Sequence, residues 1–349
     1  MGSIIMNKYY VNSPSIFFDK KIAFLSDVHS DALVLEEILE ILKSKEVDIL
    51  IIGGDLLDCL KDNNRNVKIK ELLEEYAKVF EIYIAIGNHD IVYFNNHYLL
   101  NPSENATPNL NFWYYLNLNE NINVSYFPTG KSTVCKWSLD NNVDLSILNM
   151  PIEYYWHKEP YDEFKEHIKV LDTINIESEK YNILVCHTPK NIVTNGSIDE
   201  FFKEEKRFDL ILSGHIHGGL VPINMRKNES GKGIFGPYGT LLPDYSYGII
   251  KDDGIISLNT GGVVKVANKY AKYFNRFNSS LYPAEVEIVN LKCGIKESFT
   301  RVRNNKHWKI SNISCIFLLT FLLKIDKIIL LTEKVIKGGN TYGKICIFG

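Results

Sequence analysis

"KIAFLSDVHS" (residues 21–30) decides the fold. Ile22 to Leu25 form an unbroken apolar run closed by Ser26 and Asp27. Such a short run between polar residues predicts a strand buried on both faces. Leu33 to Lys45 follows with apolar residues at helical spacing, then a second buried strand in "VDILIIGGD" (47–55). Val67 to Val79 repeats the helical spacing, and "EIYIAIGNHD" (81–90) supplies a third strand. A strand–helix–strand–helix–strand order predicts parallel strands covered by helices. Further strands are expected in "NINVSYF", "STVCKWSL", "VDLSILNM", "YNILVCH" and "FDLILSGH". Residues 133–149 suggest a hairpin turning at "DNN" (140–142). Helices are expected over Glu159 to Asn175 and between the last two of these strands; "GIISLNTGG" and "AEVEIVNL" (284–291) close the domain.

The whole chain sets wider bounds. Its 349 residues, 45% of them apolar, suffice for one large domain or two ordinary ones. A net charge of −3 argues against a strongly basic nucleic-acid binder. The six cysteines are scattered without a CxxC pair, which fits a reducing compartment and disfavours a disulfide framework. The N-terminus lacks a basic segment leading into an apolar run, so no secretory signal is expected. The expected division is an extension over 1–20, a domain over 21–293 and a tail over 294–349. In that tail, "ISNISCIFLLTFLLKIDKIILL" (310–331) is strongly apolar, but Lys324, Asp326 and Lys327 interrupt it. A packed helix or a membrane-surface segment is expected there rather than a span.

Polar residues gather where the strands end. Asp27 and His29 close the first, Asp55 and Asp58 follow the second, and Asn88, His89 and Asp90 end the third. His187 ends "YNILVCH", and His215 and His217 end "FDLILSGHIH". Side chains at i and i+2 of an extended segment point to one side, so each His or Asp pair can converge on one point. Gly214, Gly218 and Gly219 let the backbone turn closely around the second pair. A lone Asp after a strand is an ordinary turn former; five such sets in order are hard to attribute to chance. Two-metal catalysis needs such a set, because two divalent ions about 3.5–4 Å apart can clamp a phosphoryl group. One carboxylate must bridge them, and Asp55 is the natural candidate. Asp27, His29 and His217 would complete one shell; Asn88, His187 and His215 would complete the other. Imidazole and carboxylate without thiolate suit Mn, Fe or Zn, with Mn the first choice, and argue against a structural zinc site.

Asp27-x-His29, Gly54-Asp55-x-x-Asp58, Gly87-Asn88-His89-Asp90, His187 and Gly214-His215-x-His217 together resemble the signature of the calcineurin-like metallophosphoesterases. The resemblance runs from about residue 20 to 291. It implies an α/β fold, the αββα sandwich of two mixed β-sheets flanked by helices, with a binuclear metal centre at the strand ends. It also implies that His89 is catalytic rather than a ligand, touching the phosphate or the leaving oxygen and oriented by Asp90. Gly218-Gly219, "LVPI", "LLPDYSYG" and "RFNSSLYPAEVEIVNL" further resemble the bacterial YaeI- and YkuE-type phosphodiesterases, although Leu220 stands where a glutamine is common.

The expected reaction is hydrolysis of a phosphodiester by a metal-bridging hydroxide, with His89 stabilising charge or protonating the leaving group. The expected substrate is a small-molecule or lipid-linked phosphate ester; nucleic acid is not favoured. Cytoplasmic placement is expected, with membrane contact through the tail as an option. An alternative is a pyrophosphatase acting on a nucleotide-linked lipid. A rival of another class is a catalytically silent interaction module, which a missing ligand would mark; none is missing. The aromatics of "NFWYYL" (111–116) and "YYWH" (154–157) could line a substrate groove or pack as core, and packing is the stronger expectation.

Overall fold

Alternation along the central strands builds two apolar layers at once. In strand Lys20–Leu25, Ile22 and Phe24 point to one face while Ala23 and Leu25 point to the other, all fully buried. Fully burying one such large apolar side chain contributes roughly 1.5–3 kcal/mol, so both faces must be covered.

The computed structural model of the chain describes residues 3–17, 19–58, 63–90, 112–113, 116–125, 132–150, 169–189, 208–226, 230–236, 242–243, 245–252, 254–264 and 281–302. Two compact units are present, Met1–Arg303 and Asn304–Gly349, the second outside the described residues. In the first unit the elements are β1 (Ile4–Ser13), β2 (Lys20–Leu25), α1 (Ala32–Ser44), β3 (Ile49–Ile52), α2 (Asn63–Tyr76), β4 (Glu81–Ile84) and β5 (Ile122–Val124). Then come β6 (Thr133–Asp140), β7 (Val143–Asn149), β8 (Tyr181–Cys186), β9 (Leu210–Ser213) and β10 (Ser230–Gly231). The last are β11 (Tyr247–Asp252), β12 (Ile255–Asn259), β13 (Ala284–Cys293) and β14 (Ser298–Val302).

They form two mixed seven-stranded sheets, ordered β14-β1-β13-β2-β3-β4-β5 and β10-β11-β12-β9-β8-β7-β6. Ile22, Phe24, Ile49, Ile51 and Tyr83 of the first sheet share a core with Leu145, Ile147, Ile183, Val185, Leu210 and Leu212 of the second. On the outer face of the first sheet, Ala23, Leu25, Leu50 and Ile52 pack with Leu35, Ile38, Leu39 and Leu42 of α1 and with Leu72 and Leu73 of α2. Asp31 caps α1 by accepting from the Val34 amide (3.4 Å).

Register sets the position of the polar strand ends. Leu25, Ile52 and Ile84 lie side by side across parallel β2, β3 and β4. Asp27, Asp55 and Asn88 follow them by two to four residues and so emerge on one edge. In the second sheet Val185 pairs with Leu212 across parallel β8 and β9, and His187 and His215 follow. Crevices at the carboxyl ends of parallel strands are where α/β sheets hold ligands.

The expected hairpin is β6–β7, antiparallel with a register shift between Ser138 and Asp140. Phe112 and Trp113 are 4% exposed and belong to the core, so these two aromatics pack rather than line a groove. Residues 154–157, most of the Glu159–Asn175 helix and the apolar 310–331 segment lie outside the described residues; Lys169–Thr173 is a 3₁₀ turn. No helix among the described residues is long and apolar enough to cross a membrane. The sheet itself runs past the expected 21–293 limits at both ends. β1 pairs in parallel with β13 from Ile4 to Ser13, and β14 pairs antiparallel to β1. Without β1, the amide and carbonyl groups of β13 along that side would lose their partners.

Candidate metal centre

The backbone at the strand ends takes conformations that L-residues avoid. Asp27, His29, Asp55, His215 and His217 all have φ between 47° and 69°. Left-handed backbone at non-glycine residues costs of order 1–3 kcal/mol each and persists where the surroundings impose it. Here they do: Asp27 N–H donates to the Gly54 carbonyl (3.0 Å) and His29 N–H to the Asp55 carbonyl (2.9 Å). The His215 N–H donates to both Asp27 oxygens (3.2 and 3.1 Å). Gly87 and Gly214 permit this crowding, since a side chain at either would collide with Asp55 or with Ser26 and Asp27.

Six side chains named from the sequence meet on this edge, Asp27, His29, Asp55, His187, His215 and His217, and Asn88 follows β4 at the same edge. All but His217 are buried. Ligand atoms of Asp27, His29 and His217 lie within 4.8 Å of one another, and so do those of Asp55, His187 and His215. Asp55 stands between the groups, its Oδ2 3.3 Å from His187 Nε2 and 3.7 Å from His29 Nε2. Asp27 Oδ1 is 3.7 Å from His217 Nε2.

Two backbone carbonyls orient two of the rings. His187 Nδ1 meets the Gly53 carbonyl at 2.7 Å, and His217 Nδ1 meets that of Val264 at 2.6 Å. A carbonyl only accepts, so each ring donates from Nδ1 and, when neutral, turns an unprotonated Nε2 toward the carboxylates. Metal-binding imidazoles are commonly fixed in this way.

The electrostatics suit cations. Burial would raise Asp55, but the His187, His89 and His29 imidazoles beside it outweigh that and hold its carboxyl well below the usual range. Burial would lower His187, yet the Asp55 carboxylate raises it to about 9. Burial and the neighbouring His187 push His215 well below its usual value. Asn88 Oδ1 is buried and, among the described residues, has no hydrogen-bond partner. A buried orphan oxygen is costly unless something else satisfies it. Nitrogen and oxygen donors in two adjoining groups fit two divalent cations. Cys186, next to His187, has its thiol pushed up to about 12 by burial and is no thiolate at neutral pH.

Among the described residues, Asp90 meets backbone amides. Its carboxylate accepts from the amides of Leu56 (3.3 Å), Leu57 (2.9 Å) and Gly87 (2.9 Å), so it ties the "GNHD" turn to the "GDLLD" turn. The carboxylate facing His89 is Asp58, with Oδ1 3.6 Å from Nδ1. Asp58 is held in turn by Ser30, whose Oγ accepts from the Asp58 amide (2.9 Å) and donates to Asn66 Oδ1 (2.7 Å). Asn66 lies on α2 and gave no motif signal. His89 also falls within 4.8 Å of donors on His29 and Asp55.

Known proteins resemble this chain in sequence. At 26% identity, an uncharacterized metallophosphoesterase of Campylobacter jejuni aligns with 60% of this chain and 47% of its own length, so the chain spans about half of that relative. YpbG, an uncharacterized protein of Bacillus subtilis, is 27% identical over 70% of this chain and 74% of its own length. Among solved structures, a dimetal phosphatase from Danio rerio superposes with a TM-score of 0.42 at 11% identity, covering 71% of this chain and 88% of that one. The sequence profile described as calcineurin-like phosphoesterase matches residues 20–219, more than half of the chain, from the start of β2 to the glycine pair after His217. Every strand end that bears a donor falls inside that match, and the chain belongs to the calcineurin-like phosphoesterase family.

Proposed function

We propose that the chain is a phosphodiesterase dependent on two divalent metal ions, most simply Mn²⁺, and close to the bacterial YaeI- and YkuE-type enzymes. The observation that carries this is the pair of donor groups, Asp27–His29–His217 and Asp55–His187–His215, adjoining at Asp55 with His89 beside both. Asp27, His29 and His217 would hold one ion, and Asn88, His187 and His215 the other, with Asp55 shared. Bound there, divalent ions supply Lewis-acid activation of water and neutralise phosphoryl charge.

The chain's own residues supply the rest. Asp58 Oδ1 lies 3.6 Å from Nδ1 of His89 and offers that ring a carboxylate partner. His89 is then free to stabilise the phosphoryl charge or to deliver a proton to the leaving oxygen as its bond to phosphorus breaks. Asp90, committed to three amides, keeps the His89 turn in place. The substrate is a small-molecule or lipid-linked phosphate ester, met in the cytoplasm or at a membrane surface through the tail. The scattered cysteines support the reducing compartment, and the apolar 310–331 segment supports the surface contact.

Turnover of matched phosphomonoester, phosphodiester and pyrophosphate substrates, with excess chelator and after Mn²⁺ addition, tests this. The diester should be preferred, chelation should abolish its hydrolysis and Mn²⁺ should restore it. Equal turnover by a demonstrably metal-free protein would defeat the metal-dependent reading. Preference for the pyrophosphate would move the activity to that class.

A further inference from the structure

The turn that carries His217 is held by a residue outside every motif named above. Gly218 follows His217 at φ 65°, and its open face lies against the guanidinium of Arg226, where a side chain would collide with Nη2. Arg226 Nε donates to the Val221 carbonyl (3.2 Å), just after the His217–Leu220 turn. Its Nη1 donates to Glu285 Oε2 on β13 (2.8 Å), and its guanidinium sits over the Tyr247 ring at 4.6 Å from the centroid. The Arg226 and Glu285 side chains are only 8% and 4% exposed.

The other side of His217 is reached through the same pair. Glu285 N–H donates to the Gly262 carbonyl (3.1 Å), and two residues on, the Val264 carbonyl receives His217 Nδ1. The Val264 amide donates to the Asp27 carbonyl (2.9 Å). Arg226 therefore braces the backbone after His217, while its partner Glu285 braces the segment that aims the ring at Asp27. His187 and His215 lean instead on strand ends. His187 takes its carbonyl from Gly53, and His215 is fixed by Asp27.

We infer that Arg226 is a positioning residue for His217, so that the Asp27–His29–His217 group depends on it and the Asp55–His187–His215 group does not. The inference rests on the proposed two-metal function. Changes behind a metal-binding imidazole typically cost roughly 10- to 100-fold in metal affinity.

The test is calorimetric titration of the metal-free full chain with Mn²⁺. Removing Arg226 alone takes the guanidinium away from the buried Glu285 carboxylate, so the main variant is Arg226→Met with Glu285→Gln. That variant should keep one affinity and lose roughly 10- to 100-fold at the other, the same one that His217→Ala weakens. Arg226→Lys should fall between, because an ammonium can meet Glu285 but cannot also reach Val221 and stack on Tyr247. Added to His217→Ala, the double change should have no further effect on metal binding. Unchanged affinities overturn the inference. So does an equal fall in both, or loss of native circular dichroism in both Arg226 variants, since Arg226 would then support the fold at large. Fewer than two Mn²⁺ sites in the unaltered chain would show that the two-metal reading itself had failed.

Discussion

The two donor groups differ in what holds them. Asp55, His187 and His215 come within three residues of the ends of β3, β8 and β9, strands that are buried throughout. The Asp27–His29–His217 group takes its last member from a 3₁₀ turn beyond β9, and His217 is 20% exposed where its partners are fully buried. Strand ends in a close-packed sandwich move little, since their positions are fixed by side chains on both faces. A turn is fixed by whatever braces it. One group is therefore set by the fold itself and the other by later, local contacts, which leaves the second open to separate tuning.

The largest expected effect erases the comparison. Asp55 stands between the groups, so Asp55→Ala should remove both metals and reduce phosphodiester hydrolysis to background. Elemental analysis of the purified variant checks this, and a variant that retains two metals per chain would remove Asp55 from its bridging role. The next effect sharpens the contrast. His215→Ala and His217→Ala should each lose one metal and keep the other, with His215→Ala costing more thermal stability because His215 is enclosed by the sheets. Equal melting temperatures would mean that the difference in support has no energetic weight.

A smaller effect leaves both groups intact. His89→Ala should keep two metals and a normal fold yet lose about 10²- to 10⁴-fold in turnover, the usual range for removing one general acid or base. Asp58→Asn should lose less, and Asp90→Asn should act through stability because, among the described residues, Asp90 binds backbone amides. The loss in His89→Ala should be greater for alkoxide leaving groups than for an activated nitrophenyl ester, which needs little protonation. A uniform loss would favour charge stabilisation, and loss of metal would make His89 a ligand.

What the sequence made legible follows the same division. Runs such as "ILII" (49–52) and "LILS" (210–213) are buried on both faces, so their apolar character announces strands, and the polar residues after them announce the site. The orientation of His89 was not legible in this way. Asp90 is adjacent in sequence, but its carboxylate turns back onto the amides of its own turn and of the preceding loop, while Asp58 comes across from the end of β3. Sequence proximity carries no such direction. β1 and β14 were also missed. Most of their residues are partly buried or exposed and of mixed polarity, and their strand character comes from pairing with each other and with a segment some 280 residues away. Arg226 has no motif at all: its role exists only once Gly218, Glu285 and Tyr247 are brought together.

The smallest effect probes the support of the turn-borne group without touching either group. Glu287 lies two residues beyond Glu285 on β13 and is 1% exposed. Asn7 donates to its Oε1 (3.2 Å), and Tyr9 and Thr260, the latter leading into the 260–264 segment, act on its carboxyl. Burial first, and the Glu285 carboxylate second, push Glu287 up to about 7, against the pull of Tyr9, Arg301 and Thr260. Between about pH 4.5 and 7, then, the unfolded chain gives up a proton that the folded chain keeps. The stability linked to this group is complete below the lower value and falls as pH rises through the upper one. At about 1.4 kcal/mol for each tenfold change in proton affinity, the loss is a few kcal/mol at most. Glu287→Gln keeps a neutral side chain of the same shape and cannot ionise. It should melt close to the unaltered chain at pH 5 and several degrees above it at pH 8, with both Mn²⁺ affinities unchanged. Melting curves that stay parallel from pH 5 to 8 would show that Glu287 titrates like an exposed carboxylate. A changed affinity at the His217 group alone would show that the brace beneath it extends along β13 as far as Glu287.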